Sequence, residues 1–295
     1  MIDKIYDKTS KISFTVYGDD FLEYFGEYKK IIRELGTEFE TLYGAHRRLD
    51  RLVLVDDDTL QNWEFHFKPI DGDELRKFYE YNNVKSAQTG KNLDSFIISF
   101  ANPQYCEEMI KIGRTIYFAP IIKYLQKMGL HKKLNKIEDK VNGNSKIAIN
   151  DELTLIFVTL ATPDKSKEKI LKRVCDVLDK IDYITNYRRT VIDSLIAFQI
   201  ENFVKSKSDR DKLNEVVDMQ VPVEELFLQV EREAQYDRGY EQGYDEGRDE
   251  GRDEVKDEMI LGMLKKSFDL EVIEEISGSS ISHILDLKRK YFPSK

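Results

Sequence analysis

The chain has 295 residues, 41% of them apolar and 34% charged, with a formal net charge of −9, enough apolar content to bury a sizeable core and too much for a disordered chain. The acidity argues against a simple nucleic-acid coat protein, the longest apolar runs are far too short to span a bilayer, and residues 1–10 contain no signal-peptide core. Two cysteines, Cys106 and Cys175, are too few for a disulfide framework or a Cys-rich zinc site, so a reducing cytoplasm is the expected location.

Apolar residues recur at helical spacing over 19–35, which predicts one amphipathic helix capped by Asp19 or Asp20 and ended by Gly36. Residues 37–43 read as a strand. Residues 48–55 and 59–67 are rich in β-formers, and Asp56, Asp57 and Asp58 between them predict a tight turn and a β-hairpin. A helix over 74–84, a buried strand over 95–101 and a short strand over 115–118 follow, with a helix from near Pro120. Beyond Asn150 the pattern is wholly helical, over 151–161, 163–181 and 182–204, with Pro163 suited to a first turn.

Val223 opens another helix, with Leu226, Phe227 and Val230 on its apolar face, and it runs into a four-residue repeat. Gly239, Gly243, Gly247 and Gly251 each begin a Gly-(Tyr/Arg)-(Asp/Glu)-(Glu/Gln) unit. Four residues advance an α-helix by about 400°, so the glycines form a slowly drifting stripe, each costing about 1 kcal/mol relative to alanine. Two readings stay open: a helix whose glycine stripe admits a second backbone, or a flexible acidic linker. Residues 236–258 hold ten acids against four bases, a local charge of −6, which leaves the rest of the chain at −3. Short helices over 259–268, 270–276 and 280–291 complete the chain as a small capping or dimerisation bundle, with a helix-turn-helix as the alternative. The expected domains are 1–145, α/β; 146–222, helical; and 223–295, the long helix with its repeat and bundle.

The hairpin carries the candidate chemistry. If residues 56–58 form a three-residue loop, Val55 pairs with Thr59 and Asp50 falls directly opposite Glu64, on one face and about 5 Å away. His66 shares that face through the period of two. A two-residue loop would put Glu64 on the other face. Two carboxylates this close repel, a divalent cation relieves the repulsion, and hard oxygen ligands suit Mg²⁺ or Mn²⁺. The ordinary alternative is a pair of acids on a solvated sheet face. His46, Arg47, Arg48 and Arg51 place positive charge around Asp50, suited to a phosphate backbone or to a solvated loop edge. Arg76 and Tyr79, one turn apart, contact phosphate or pack their helix against the sheet. His131 and His283 sit in polar surroundings and carry no assignment. The sequence has no phosphate-cradling glycine loop, Ser or Cys nucleophile motif, or zinc spacing.

An Asp at the start of one strand and Glu64-Phe65-His66 on the next resemble the PD-(D/E)XK nuclease signature, in which Glu-x-(Lys/Gln) follows the Asp. The order of Thr37-Glu38, Arg48-Leu49-Asp50, Trp63-Glu64-Phe65-His66 and Leu75-Arg76-Lys77-Phe78-Tyr79 resembles the Rpn-type recombination-promoting nuclease and putative transposase family. The step Thr159-Leu160-Ala161-Thr162-Pro163 into helices and the glycine repeats extend the resemblance over about residues 19–295. It implies an α/β, PD-(D/E)XK restriction-endonuclease-like core with a helical C-terminal region, acting as a metal-dependent DNA endonuclease in recombination or transposition. By the same resemblance, Asp50, Glu64 and the Phe65 carbonyl hold Mg²⁺ or Mn²⁺, and the residue two after Glu64 positions or deprotonates water. The family has Gln or Lys there; this chain has His66, which can act as a base near neutral pH. Lys68, two residues on, is a substitute, and Glu38 is a weaker candidate ligand. The alternative is a catalytically inactive nuclease-fold module for interaction or DNA binding. DNA is the expected partner, with no membrane and with homo-oligomerisation through the C-terminal helices.

Overall fold

The computed structural model describes residues 2–40, 46–181, 186–217, 221–232, 256–266 and 268–291. The chain divides into two compact units, Met1–Gln235 and Tyr236–Lys295. In the first, α1 (Ile2–Tyr17) and α2 (Asp19–Tyr24) precede β1 (Ile31–Glu34), β2 (Glu38–Glu40), β3 (His46–Arg48), β4 (Arg51–Val55) and β5 (Leu60–His66). Helix α3 (Gly72–Thr89) leads to β6 (Leu93–Ser99), β7 (Ile110–Ile112), β8 (Ile116–Phe118) and β9 (Ile121–Tyr124). The remainder is helical: α4 (Leu130–Asn142), α5 (Ile149–Val158), α6 (Asp164–Leu178), α7 (Asn186–Phe203), α8 (Lys207–Asn214) and a stretch at 223–232.

The architecture is α/β, with a five-stranded mixed sheet in the order β1-β4-β5-β6-β9. Pairing is antiparallel across β1, β4 and β5 and parallel across β5, β6 and β9. The strands β2–β3 and β7–β8 form separate ribbons. Alternation along each strand explains why both faces are covered. Val53, Val55, Trp63, Phe65, Phe96 and Ile98 enter a core shared with α1, α2, α5 and α7. Leu52, Leu54, Leu60 and Ile97 pack instead with Leu75, Phe78 and Tyr81 of α3. Trp63 stacks on Phe96 with ring centroids 4.4 Å apart, and its Nε1 donates to Gln61 Oε1 at 3.1 Å.

The hairpin forms as its turn residues dictate. Val55 N–H donates to the Thr59 carbonyl at 3.0 Å, and Asp58 takes the left-handed φ of 65° that a short polar side chain tolerates. The predicted helix over 19–35 is two elements. Gly26, at φ 84°, turns the chain after α2, and the β-branched Ile31 and Ile32 enter β1, where Ile31 faces Val55. Gly18, not Asp19 or Asp20, is the N-cap of α2; Asp19 Oδ1 accepts from Ile31 N–H at 2.7 Å. The helix expected from Pro120 is the edge strand β9, because 121–124 pair with β6; helix resumes at Leu130, after Gly129 at φ 66°. Helices α1 and α8 have no counterpart in the sequence reading, and in α1 the buried face includes Thr9, Ser10 and Ser13, which breaks the apolar stripe.

The boundaries expected at 145 and 222 fall inside one core, which joins Trp63, Phe157, Leu195 and Leu226. The apolar face of 223–232, expected to begin a self-associating helix, is used within this unit: Val223, Leu226 and Val230 are buried and Phe227 packs on the same core. The glycine repeat lies outside the described residues. In the second unit a helix at 256–265 and helices Leu270–Ser277 and Ile281–Tyr291 close around Ile260, Ile273, Ile284 and Leu287. Gly278, at φ 63°, makes the turn expected between the last two. Among the described residues no helix is long and apolar enough to cross a membrane.

Candidate active site

The β4–β5 ladder runs Arg51↔Trp63, Leu52↔Asn62, Val53↔Gln61 and Leu54↔Leu60. Continued by one residue, it sets Asp50 opposite Glu64, the register that the three-residue turn requires. Asp50 lies immediately before the first residue of β4, and both its carboxylate oxygens are held. Oδ2 accepts from Phe65 N–H at 2.9 Å, and Oδ1 pairs with Lys11 Nζ at 2.8 Å. Lys11 also pairs with Asp7, one turn earlier on α1, at 2.7 Å. Burial opposes the charge on Lys11, but Asp50 and Asp7 outweigh it and hold the ammonium above its ordinary range. Burial in turn raises Asp7, against the attraction of Lys11.

Glu64 is 8% exposed and shares the α3 face of β5 with Asn62 and His66 by alternation. Burial, reinforced by the Asp50 carboxylate, pushes its carboxyl well above the ordinary range, while Lys77 and Asn62 pull the other way. Its Oε1 has no hydrogen-bond partner among the described residues, a costly state for a buried carboxylate oxygen. His66 is half-buried, and burial draws its pKa below 6.5, reinforced by Lys77 and opposed by Glu74, Asp50 and Asp71. The imidazole is therefore neutral at pH 7 and able to accept a proton; its Nε2 too is buried without a partner. Glu64 and His66 stand at the carboxyl end of a strand that runs parallel to β6, the end at which open α/β sheets place their ligands.

Sequence reasoning missed three charged residues of this site: Lys11 and Asp7, because α1 was not legible, and Lys77. Lys77, on α3, interacts with Glu64 and carries a pKa raised against burial by Tyr81, Glu74 and Glu64; its signal was the Glu74–Lys77 spacing at one turn. Its neighbours on α3 are placed differently. Arg76 is exposed, and Tyr79 packs its ring 5.6 Å from Phe118. Lys68 does not continue the face of β5, which ends at His66; it is exposed, with Nζ 5.5 Å over the Phe67 ring. Glu38 is exposed on the β2–β3 ribbon, opposite Arg48. The side chains of His46 and Arg47 fall outside the described residues. Arg48 and Arg51 both meet Glu231; Arg51 is fully buried there, while Arg48 stays exposed. His131 Nε2 lies 3.1 Å from Thr162 Oγ1, and His283 Nε2 lies 2.7 Å from Asp257 Oδ1.

The donor set fits a hard divalent cation in kind. Two carboxylates interact, Asp50 just before β4 and Glu64 within β5, and one buried carboxylate oxygen lacks a partner. Among the described residues no group of three or more His, Cys, Asp or Glu side chains is arranged to hold a metal, so the fit rests on two side chains and the backbone. The Lys11 ammonium already neutralises Asp50 and would have to be accommodated beside a second cation. No family model matches the chain, and neither a curated protein nor a solved structure matches it.

Proposed function

We propose that the chain is a metal-dependent DNA endonuclease of recombination or transposon type, built on a PD-(D/E)XK-like core. The observation that carries this reading is the Asp50 carboxylate held on the Phe65 N–H beside Glu64, with which it interacts electrostatically, Glu64 being buried and its Oε1 unpartnered. Asp50, Glu64 and the Phe65 carbonyl would hold Mg²⁺ or Mn²⁺, which when bound activates water and stabilises the charge that develops at a phosphodiester. The Phe65 N–H orients Asp50. His66, neutral at pH 7, takes a proton at Nε2 from the attacking water. Lys11 and Lys77 supply positive charge on either side of the carboxylates, where an anionic backbone would approach. DNA as partner, homo-oligomerisation through the C-terminal helices and a cytoplasmic location belong to the same reading.

The second reading is an inactive nuclease-fold module that binds DNA or protein. It draws support from the Lys11–Asp50 ion pair, which satisfies Asp50 without a metal, and from His66 at the position where the resembling family has Gln or Lys. A plasmid-nicking assay with Mg²⁺, Mn²⁺ or EDTA separates the two. The endonuclease reading expects nicking that requires the metal and is lost in Asp50→Ala and Glu64→Ala. Equal nicking by all three proteins, or none by the wild type with either metal, overturns it.

A further inference from the structure

Arg51 is adjacent to Asp50, and its side chain is fully buried. Its guanidinium reaches four parts of the chain. Nη1 pairs with Glu231 Oε1 at 2.8 Å and donates to the Asp50 carbonyl at 3.3 Å. Nη2 donates to the Lys11 carbonyl at 3.4 Å, and Nε lies 3.6 Å from Glu34 Oε1 on β1. The second oxygen of Glu231 accepts from Arg48 Nη2 at 2.5 Å. One side chain thus touches the backbone of both residues that form the Lys11–Asp50 pair, and the nearer of its two acidic partners, Glu231, comes from nearly two hundred residues away in sequence.

The stretch 223–232 that carries Glu231 is seated independently of that contact. Val223 and Leu226 enter the main core, Glu224 pairs with Lys8 at 3.0 Å, and Lys8 Nζ stands 5.5 Å over the Phe227 ring. Arginine suits this junction because its planar fork serves several acceptors at fixed angles. A buried guanidinium that loses the nearer of its two carboxylates, with Glu34 left at 3.6 Å, is unfavourable and favours rearrangement around it. Its two nearest backbone acceptors belong to the site, so the rearrangement falls there.

We propose that Arg51 is a positioning residue: with Glu231 as its counter-ion, it fixes the backbones of Asp50 and Lys11, so that the docked 223–232 helix sets the geometry of the site. This rests on the reading that Asp50 belongs to the site. Burial works against the ionisation of Glu231, yet Arg51 and Arg48 hold its pKa below the ordinary range, in keeping with a permanently charged counter-ion.

The test compares Glu231→Gln with Glu224→Gln in the full chain. Both lose a carboxylate from the same helix, but only the first touches Arg51. The Phe65 amide, which donates to Asp50, reports the geometry by NMR whether or not the protein cleaves DNA. Glu231→Gln is expected to shift the Phe65 amide resonance and to slow Mg²⁺-dependent nicking by about tenfold to a hundredfold, as sub-ångström misplacement of reacting groups does. Glu224→Gln is expected to change neither. Glu231→Asp, with its carboxylate withdrawn by one methylene, serves the same comparison if the amide variant does not fold. An unmoved Phe65 resonance, or one moved equally by Glu224→Gln, overturns the proposal. A resonance that moves only in the Glu231 variants of a protein that never nicks DNA upholds the positioning role and removes the endonuclease reading alone.

Discussion

Asp50 Oδ2 accepts the Phe65 N–H at 2.9 Å, so the carboxylate just before the start of β4 is tied to the strand that carries Glu64. The bond lies where the backbone ladder has stopped, and it extends the register by one residue through a side chain. Asp50 therefore has a structural task as well as the proposed chemical one.

The first prediction separates the two tasks. Asp50→Ala removes a charge-assisted hydrogen bond and is expected to cost roughly 1–3 kcal/mol, read as a lower midpoint in urea with an unchanged slope. Asp50→Asn retains an acceptor oxygen, and is expected to recover most of the stability while still failing to nick DNA. Full nicking by the asparagine variant would exclude Asp50 as a metal ligand.

Glu64→Gln is expected to stabilise the metal-free protein at neutral pH. Burial and the Asp50 charge raise the Glu64 pKa in the folded state, so its contribution is fully present below the unfolded value and is lost as pH rises through the folded one. The amide cannot ionise and escapes that loss. The expected gain is a higher melting temperature at neutral pH, shrinking as the pH is lowered toward 4.5, the unshifted value. Melting curves at several pH values check it; a pH-independent difference would count against a raised Glu64.

Divalent cation binding should release a proton. A carboxyl held protonated by its surroundings must ionise before it can ligate, so Mn²⁺ affinity should rise with pH until Glu64 is ionised. Calorimetry in two buffers of different ionisation enthalpy measures the proton count directly. Binding without proton release would assign the cation to other ligands.

The Glu231 contact should fail in acid. Burial opposes its charge, but Arg51 and Arg48 depress its pKa below the ordinary 4.5. Its contribution is therefore present above the unfolded value and lost as pH falls through the folded one. Amide exchange in 223–232 should accelerate, relative to the intrinsic rate, as pH falls through that window, and Glu231→Gln should abolish that pH dependence. Equal acid sensitivity in the variant would place the titrating group elsewhere.

The hairpin was legible because its information is local. Three aspartates specify the turn, and the turn specifies which residues face Asp50. The 19–35 region misled because Ile31 and Ile32 fit a helical stripe as well as a strand, and only the distant pairing with Val55 and Leu54 decides between them. In α1, buried Thr9, Ser10 and Ser13 disguise the core face as a polar one. The carboxylates were read as facing solvent or a metal, yet Glu64 is covered from the α3 side, a layer that the pattern of β5 alone does not reveal. Lys11 could not be assigned to Asp50 without α1, and the Arg51–Glu231 contact joins segments with no sequence signal in common.

The separation between α1 and its partners has a consequence for synthesis. Lys8 pairs with Glu224, 216 residues later, and Tyr6 accepts from Lys167 Nζ at 2.7 Å, 161 residues later. At ~5–20 residues per second, a ribosome takes on the order of 10–40 s to travel from Lys8 to Glu224. During that interval the β4–β5 hairpin, whose contacts are short-range, can form with both of its carboxylates. On the apolar side of α1, Phe14 can meet Phe21, Trp63 and Phe65 in that interval, while the rest of the shared core waits for the later helices. A chain stalled before Glu224 would carry Asp50 and Glu64 in place but would lack both the Lys8–Glu224 pair and the Arg51–Glu231 contact, so the hairpin is made early while the contacts that tie it and α1 to the 223–232 stretch come last.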